Sequence, residues 1–170
     1  AYSVSIFREH FDLSSDLASI IFLAAALSYP LGSLFSGRLV NRIGRKPSTA
    51  ITALLASLFT IAYAYAPNLW LSLALNFIGS WFYGMVASAS NSLTLEQTPK
   101  YRGTLMSIDA VALNLGATLG ASIGGFTLIS FNYEGLGAVL GMMGILAALI
   151  FHLLTIDPTK TLRDSNAENT

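Results

Sequence analysis

The side chains that could bind a ligand in this sequence are a few polar groups inside long apolar runs. In one run, amides and hydroxyls recur every three or four residues, a spacing that places them on one face of a helix. Such groups can exchange hydrogen bonds with a polar solute or, as the alternative, with a neighbouring helix. The candidates for solute binding are Asn76, Ser80, Tyr83 and Asn91, with Ala87 leaving space and Thr94 extending the face; Asn114, in a later run, is a weaker candidate.

Asp109 is the one carboxylate in the interior of a segment predicted to cross a membrane, 103–131. Ionisable groups in such places are costly and are functional candidates, so Asp109 is the candidate for gaining and losing a proton. The alternative is a permanent anion that pairs with Arg42, Arg45 or the N-terminus of its own helix, and we favour this alternative.

The side-chain arrangements of common enzymes and metal sites are missing from the sequence. It has no cysteine, no histidine cluster, no plausible Ser-His-Asp arrangement and no glycine-rich phosphate loop. Nine basic and nine acidic residues give zero net charge, which provides no basic surface for nucleic acid. We therefore expect no enzymatic activity, no metal, no cofactor and no nucleic-acid partner.

Composition and charge spacing predict the elements that hold these groups. Hydrophobic residues make up 54% of the 170 residues and charged residues only 11%, which is too little charge for a water-soluble surface. A helix needs about 20 apolar residues to cross a bilayer. The runs without Asp, Glu, Lys or Arg are 17–37, 47–95, 110–133 and 135–156, and the second is long enough for two crossings with a turn at 67–68.

The predicted fold is an all-α, polytopic transmembrane bundle over residues 1–156, with the lipid bilayer as its first partner. Residues 1–7 are interpreted as the end of a truncated sixth helix. Five spans are predicted to be complete: 16–40, 47–66, 69–94, 103–131 and 135–156. Every Lys and Arg except Arg8 then falls on one side, which marks that side as cytoplasmic. The polar segment 157–170 is predicted to be a cytoplasmic C-terminal tail.

A basic turn between the first two complete spans carries the most specific motif. Its glycines let the backbone reverse direction, and its arginines can bind carboxylates or helix C-termini. The segment resembles the G-x-L-x-D-R-x-G-R-[KR] signature of the major facilitator superfamily. The matching residues are Gly37, Leu39, Arg42, Gly44, Arg45 and Lys46, while Asn41 replaces the usual Asp.

The resemblance extends along the whole chain and implies a six-helix half of such a transporter. The polar tail and the glycine-rich last helices resemble the C-terminal half, with the N-terminal half as the alternative assignment. The implied function is secondary active transport of a small solute by alternating access. The implied protein is a permease of the plasma or inner membrane, a symporter or antiporter, and its partners are the other half, the solute and a coupling proton. A non-transporting membrane sensor or assembly subunit that keeps the fold is the alternative.

Two further groups of residues follow from the resemblance. Glu96 ends one span and Arg102-Gly103 opens the next, so Arg42, Arg45, Glu96 and Arg102 are expected to form a gating cluster on the cytoplasmic rim. Gly116, Gly120 and Gly124 recur every four residues, a spacing that allows close approach of another helix. We expect this glycine stripe to contact the other half of the transporter.

Overall fold

Helices make up almost all of the part of the chain that the structure describes. The computed structural model describes residues 3–97 and 99–155, and it contains no strand within those ranges. In chain order the elements are α1 (Ser3–His10), α2 (Ser15–Ala26), α3 (Ser28–Ile43), α4 (Arg45–Ala64), α5 (Leu69–Gln97), a 3₁₀ turn (Pro99–Tyr101) and α6 (Arg102–Leu154). The predicted all-α class is confirmed. The predicted tail, 157–170, lies outside the described residues.

Local sequence explains where several helices begin. The Ser14 hydroxyl accepts a hydrogen bond from the Leu17 backbone N–H at 3.4 Å and caps α2. Asn68 Oδ1 accepts from the Leu71 N–H at 2.8 Å, at the start of α5. Gly44 separates α3 from α4 with φ 90° and ψ 168°, a conformation that side chains disfavour. A glycine is therefore required at this position of the basic turn.

The first predicted span, 16–40, falls on α2 and α3, which together form one helical stretch, 15–43, with an interruption at Leu27. α2 ends at Ala26 and α3 begins at Ser28, with Leu27 between them. In a continuous helix the ring of Pro30 would collide with the carbonyl of Ala26, four residues earlier. The interruption therefore precedes the proline, which lies in the first turn of α3, where its missing N–H costs little.

α6 turns back on itself. Its 53 residues would extend for about 80 Å as one straight helix, but Asn132 has non-helical angles, φ 57° and ψ −167°. The segment after this residue, 133–154, packs antiparallel to α4, with Gly137 against Ala64 and Gly144 against Ser57. α6 therefore consists of two helices, 102–131 and 133–154, each long enough to cross a bilayer.

Small residues form the closest helix contacts. α3 and α5 run parallel. The buried Ser28 hydroxyl shares its hydrogen between the carbonyl oxygens of Ala25 at 2.6 Å and Phe77 at 2.9 Å, and the buried Ser36 hydroxyl donates to the Met85 carbonyl at 3.2 Å. Between these bonds, Gly32 lies directly against the backbone of Trp81. We call this contact the α3–α5 seam. Small residues allow this approach, and packing rather than hydrophobic burial drives association in lipid.

α4 fills the space between α5 and the last segment of α6. It packs antiparallel to α5, where the rings of Phe59 and Phe82 stack with centroids 5.7 Å apart. The Ser72 hydroxyl donates to the Tyr63 carbonyl at 3.3 Å and ties the C-terminal end of α4 to the N-terminal end of α5.

The outer surface of the bundle is apolar. Leu34 is 77% exposed and Ile129 is 87% exposed, and many other large aliphatic and aromatic side chains also point outward. A contiguous apolar exterior is unstable in water but is the natural surface for lipid. Within residues 3–97 and 99–155, four helical stretches are long and apolar enough to cross a membrane: 15–43, 45–64, 69–97 and 102–154. The last of these has the length of two crossings.

Candidate functional site

The predicted solute-binding residues on α5 differ in exposure. Asn76 is buried, at 8% exposure, and its amide makes no hydrogen bond to any residue that the structure describes. Ser80 is half-buried, whereas Tyr83, at 44%, and Asn91 are exposed. Their spacing keeps them on one face of the helix. Thr94, at the C-terminal end of this face, lines a cavity of about 340 Å³ between α5 and the end of α6.

A residue of α4 completes the polar face. The Tyr83 hydroxyl lies 3.3 Å from Oγ1 of Thr60, and the Thr60 hydroxyl donates to the Ala56 carbonyl at 2.9 Å. Thr60 was not predicted from the sequence, because the sequence does not show which helix packs beside α5.

An ion pair joins the N-terminus of α4 to the C-terminal end of α5. The Arg45 guanidinium, at the N-terminus of α4, contacts the Glu96 carboxylate, near the C-terminus of α5. The Arg45 side chain is about three-quarters buried and that of Glu96 about two-thirds buried. The positive end of the α4 dipole favours the carboxylate, and the negative end of the α5 dipole favours the guanidinium. The helices therefore reinforce the attraction between the two side chains.

The other predicted gating residues stand apart from this pair. Asn41, Arg42 and Arg102 are exposed, and within residues 3–97 and 99–155 neither arginine forms an ion pair. Lys46 is half-buried, and Gly37 has open space where a side chain would begin. The structure thus brings together two of the four charges expected in the gating cluster.

The first segment of α6 carries the remaining predicted residues. Asp109 is half-buried and forms no ion pair with Arg42 or Arg45, and Arg45 is paired with Glu96 instead. The exposed Asn114 amide donates to the Ala110 carbonyl of its own helix at 2.8 Å.

The glycine stripe is unpartnered over most of its length. A Cβ atom at Gly116 or Gly120 would meet nothing within 4 Å, whereas Gly124 is buried. The expected contact of this stripe with another half of the protein remains a prediction.

A second polar face on α6 was not predicted as a set. Four exposed side chains each donate a hydrogen bond to the carbonyl four residues earlier, at distances from 2.8 to 3.0 Å. Their spacing places them on one side of the helix, away from the glycine stripe. They are Ser107, Asn114, Thr118 and Ser122. The same periodicity argument that found the α5 face could have found this one.

The sequence profile of the Major Facilitator Superfamily matches residues 1–170, which is the whole chain. The basic turn, the long apolar helices and the fold-back of α6 agree with this match. The chain belongs to the major facilitator superfamily. As a member with helices that can cross a bilayer, it is a multi-pass membrane protein.

Curated relatives of this superfamily member include three bacterial transporters. The gentisate transporter of Corynebacterium glutamicum is 32% identical over 119 residues, which is 70% of this chain and 26% of that protein. The 4-hydroxybenzoate transporter PcaK of Pseudomonas aeruginosa is 30% identical over 145 residues, 82% of this chain and 32% of that protein. The niacin transporter NiaP of Acinetobacter baylyi is 34% identical over 119 residues, which is 69% of this chain and 26% of that protein.

The chain therefore spans about a quarter to a third of the length of these relatives. Their names describe transporters, which gives no support to the alternative of a sensor or assembly subunit. No solved structure gives a significant match.

Proposed function

We propose that this chain is the C-terminal half of a secondary transporter that moves a small solute across the cell membrane by alternating access. The superfamily match and the longer relatives support this proposal. In it, the N-terminal half supplies the facing bundle, the C-terminus lies in the cytoplasm, and the solute crosses without chemical change.

The observation that carries the proposal is the amide of Asn76, a residue that is 8% exposed and makes no hydrogen bond within the described part of the chain. A polar group without a partner is costly inside a bilayer, because water is not freely available to satisfy it. A solute that forms hydrogen bonds with this amide would offset that cost. Ser80, Tyr83 and Asn91 continue the same face and would extend the contact along α5.

A small aromatic carboxylate is the proposed solute class. The relatives named for gentisate, 4-hydroxybenzoate and niacin support it. Because residues 47–95 contain no Lys or Arg, α4 and α5 offer the solute neutral hydrogen-bonding groups and an aromatic ring rather than a cation. In the proposal, the carboxylate is neutralised by the other half.

The Arg45–Glu96 pair is proposed to be part of an inner latch. It ties α4 to α5 on the cytoplasmic side, and Arg42 and Arg102 remain exposed and available to charges on the facing half. Such a network would favour the state that is closed on the inside. Asp109 is proposed as the site where a proton couples to transport, because it is half-buried in a membrane helix and has no ion-pair partner in the described part of the chain.

Uptake into vesicles that contain the complete transporter tests this proposal. With a proton gradient applied, we expect saturable accumulation of radiolabelled 4-hydroxybenzoate. Asn76→Leu keeps the side-chain volume but removes its hydrogen bonds. It should raise the half-saturating concentration roughly five- to tenfold, which corresponds to about 1–1.4 kcal/mol. Absence of saturable uptake would refute the solute class, and an unchanged half-saturating concentration in Asn76→Leu would remove Asn76 from the site.

A further inference from the structure

The hydrogen bonds around Thr60 set the direction of the Tyr83 hydroxyl. A hydroxyl has a single hydrogen, and that of Thr60 is directed to the Ala56 carbonyl at 2.9 Å, the shorter of its two contacts. The Tyr83 hydroxyl, at 3.3 Å from Thr60 Oγ1, is therefore the donor in the contact between them. The chain of bonds runs from Tyr83 to Thr60 to Ala56.

This direction leaves the Tyr83 oxygen able only to accept on its open side. The side chain is 44% exposed and shares its helix face with Asn76 and Ser80. A polar face of this kind is costly against lipid, which favours a position beside a solute or a water-filled cavity.

We propose that Tyr83 accepts a hydrogen bond from a hydroxyl or N–H group of the solute, and that Thr60 is the positioning residue that keeps Tyr83 in this role. The inference rests on the proposed function and adds a selection rule to it. A solute that presents a donor at this point is bound, whereas one that presents only an acceptor or an apolar edge leaves the Tyr83 oxygen unsatisfied. For aromatic acids, the rule favours a ring that carries a hydroxyl group over an unsubstituted ring.

The geometry also explains why the rule depends on Thr60. The 3.3 Å contact is longer than the typical O–H···O distance of about 2.8 Å, so Tyr83 can move towards a solute without losing a strong bond. Without the Thr60 oxygen, the Tyr83 proton is free to rotate to the open side. Tyr83 would then donate as readily as it accepts, and the preference for donor-bearing solutes would fall.

The experiment compares initial uptake of 4-hydroxybenzoate and benzoate by the complete transporter in proteoliposomes. Thr60→Val keeps the shape of the side chain and removes its hydroxyl, while Tyr83→Phe removes the acceptor itself. Thr60→Ser restores the hydroxyl. The matched control is Thr52→Val, because Thr52 is a buried threonine of α4 whose hydroxyl bonds only to its own helix, at Ser48 and Thr49.

We expect the wild type to prefer 4-hydroxybenzoate, and the ratio of the two uptake rates to fall roughly three- to tenfold in Thr60→Val and in Tyr83→Phe. The ratio should stay near the wild-type value in Thr60→Ser and Thr52→Val. Because a ratio does not depend on the amount of folded transporter, partial misfolding of one variant does not imitate the effect. An unchanged ratio in both Thr60→Val and Tyr83→Phe overturns this inference alone. Uptake of neither acid by the wild type overturns the proposed solute class and this inference with it.

Discussion

A methyl group added at Gly84 tests the α3–α5 seam. The Cβ of Gly84→Ala would lie against the backbone oxygen of Tyr29, well inside the 3.0 Å below which real Cβ contacts essentially never fall. The two helix backbones must therefore separate by about 1 Å at this point. A backbone atom cannot rotate away as a flexible side chain can, so the strain spreads along the seam.

The cost of this separation follows from the bonds that it lengthens. The Ser28–Phe77 and Ser36–Met85 hydrogen bonds, at 2.9 and 3.2 Å, would both exceed 3.5 Å. Each such bond is worth about 0.6 kcal/mol in membrane proteins, and overpacking adds about 1–3 kcal/mol. We expect Gly84→Ala to lower the free energy of unfolding by about 2–4 kcal/mol.

The matched control is Gly116→Ala, in a helix of the same chain. Nothing lies within 4 Å of its Cβ position, so alanine should stabilise the helix by up to about 1 kcal/mol. Equilibrium unfolding of residues 1–170 in detergent micelles, followed by circular dichroism, measures both variants. If the two variants had equal free energies of unfolding, α3 and α5 would be farther apart at the seam than in the structure.

Three further predictions concern the inner turn and Asp109. Glu96→Gln removes the charge opposite Arg45, and an ion pair of this partly exposed kind contributes roughly 0.2–1 kcal/mol. Because the proposed latch is then weaker, a cysteine introduced on the proposed cytoplasmic side of the complete transporter should react faster with a thiol label. Unchanged labelling would rule out the latch. Asp109→Asn should abolish accumulation driven by a proton gradient while solute exchange continues; retained accumulation would place coupling elsewhere. Gly44→Ala should lower the thermal unfolding midpoint, because a residue with a side chain is destabilised by about 1–2 kcal/mol at a φ of 90°. The control is Gly37→Ala, which should leave the midpoint unchanged, because Gly37 is helical and has open space where the side chain would begin.

The helical nature of this protein could be predicted from the sequence, and so could the membrane as its surroundings. The reason is that each crossing segment must satisfy its backbone hydrogen bonds internally, which depends only on local sequence. The length of α5 and the need for a turn at Pro67–Asn68 follow from this rule. The basic turn was also predictable, because the positive φ of Gly44 is a local requirement.

The exact interruptions of the helices were less predictable. A proline at position 30 disturbs the turn before it, so the interruption lies at Leu27 rather than at the proline itself. Asn132 ends the first segment of α6 without proline or glycine, at φ 57° and ψ −167°, a backbone conformation that is strained for a residue with a side chain. A rule based on glycine and proline alone does not find this turn.

The apolar segments of this chain and the polar residues within them can be identified from the sequence. The packing of the helices establishes which polar residues meet: Thr60 with Tyr83, Arg45 with Glu96, and Ser28 with Phe77. Several small-residue stripes in this chain have the same four-residue spacing, so spacing cannot tell Gly32, which packs tightly, from Gly116, which packs on nothing. Pairing in lipid depends on the fit between two whole surfaces, and that fit exists only once the helices are placed side by side.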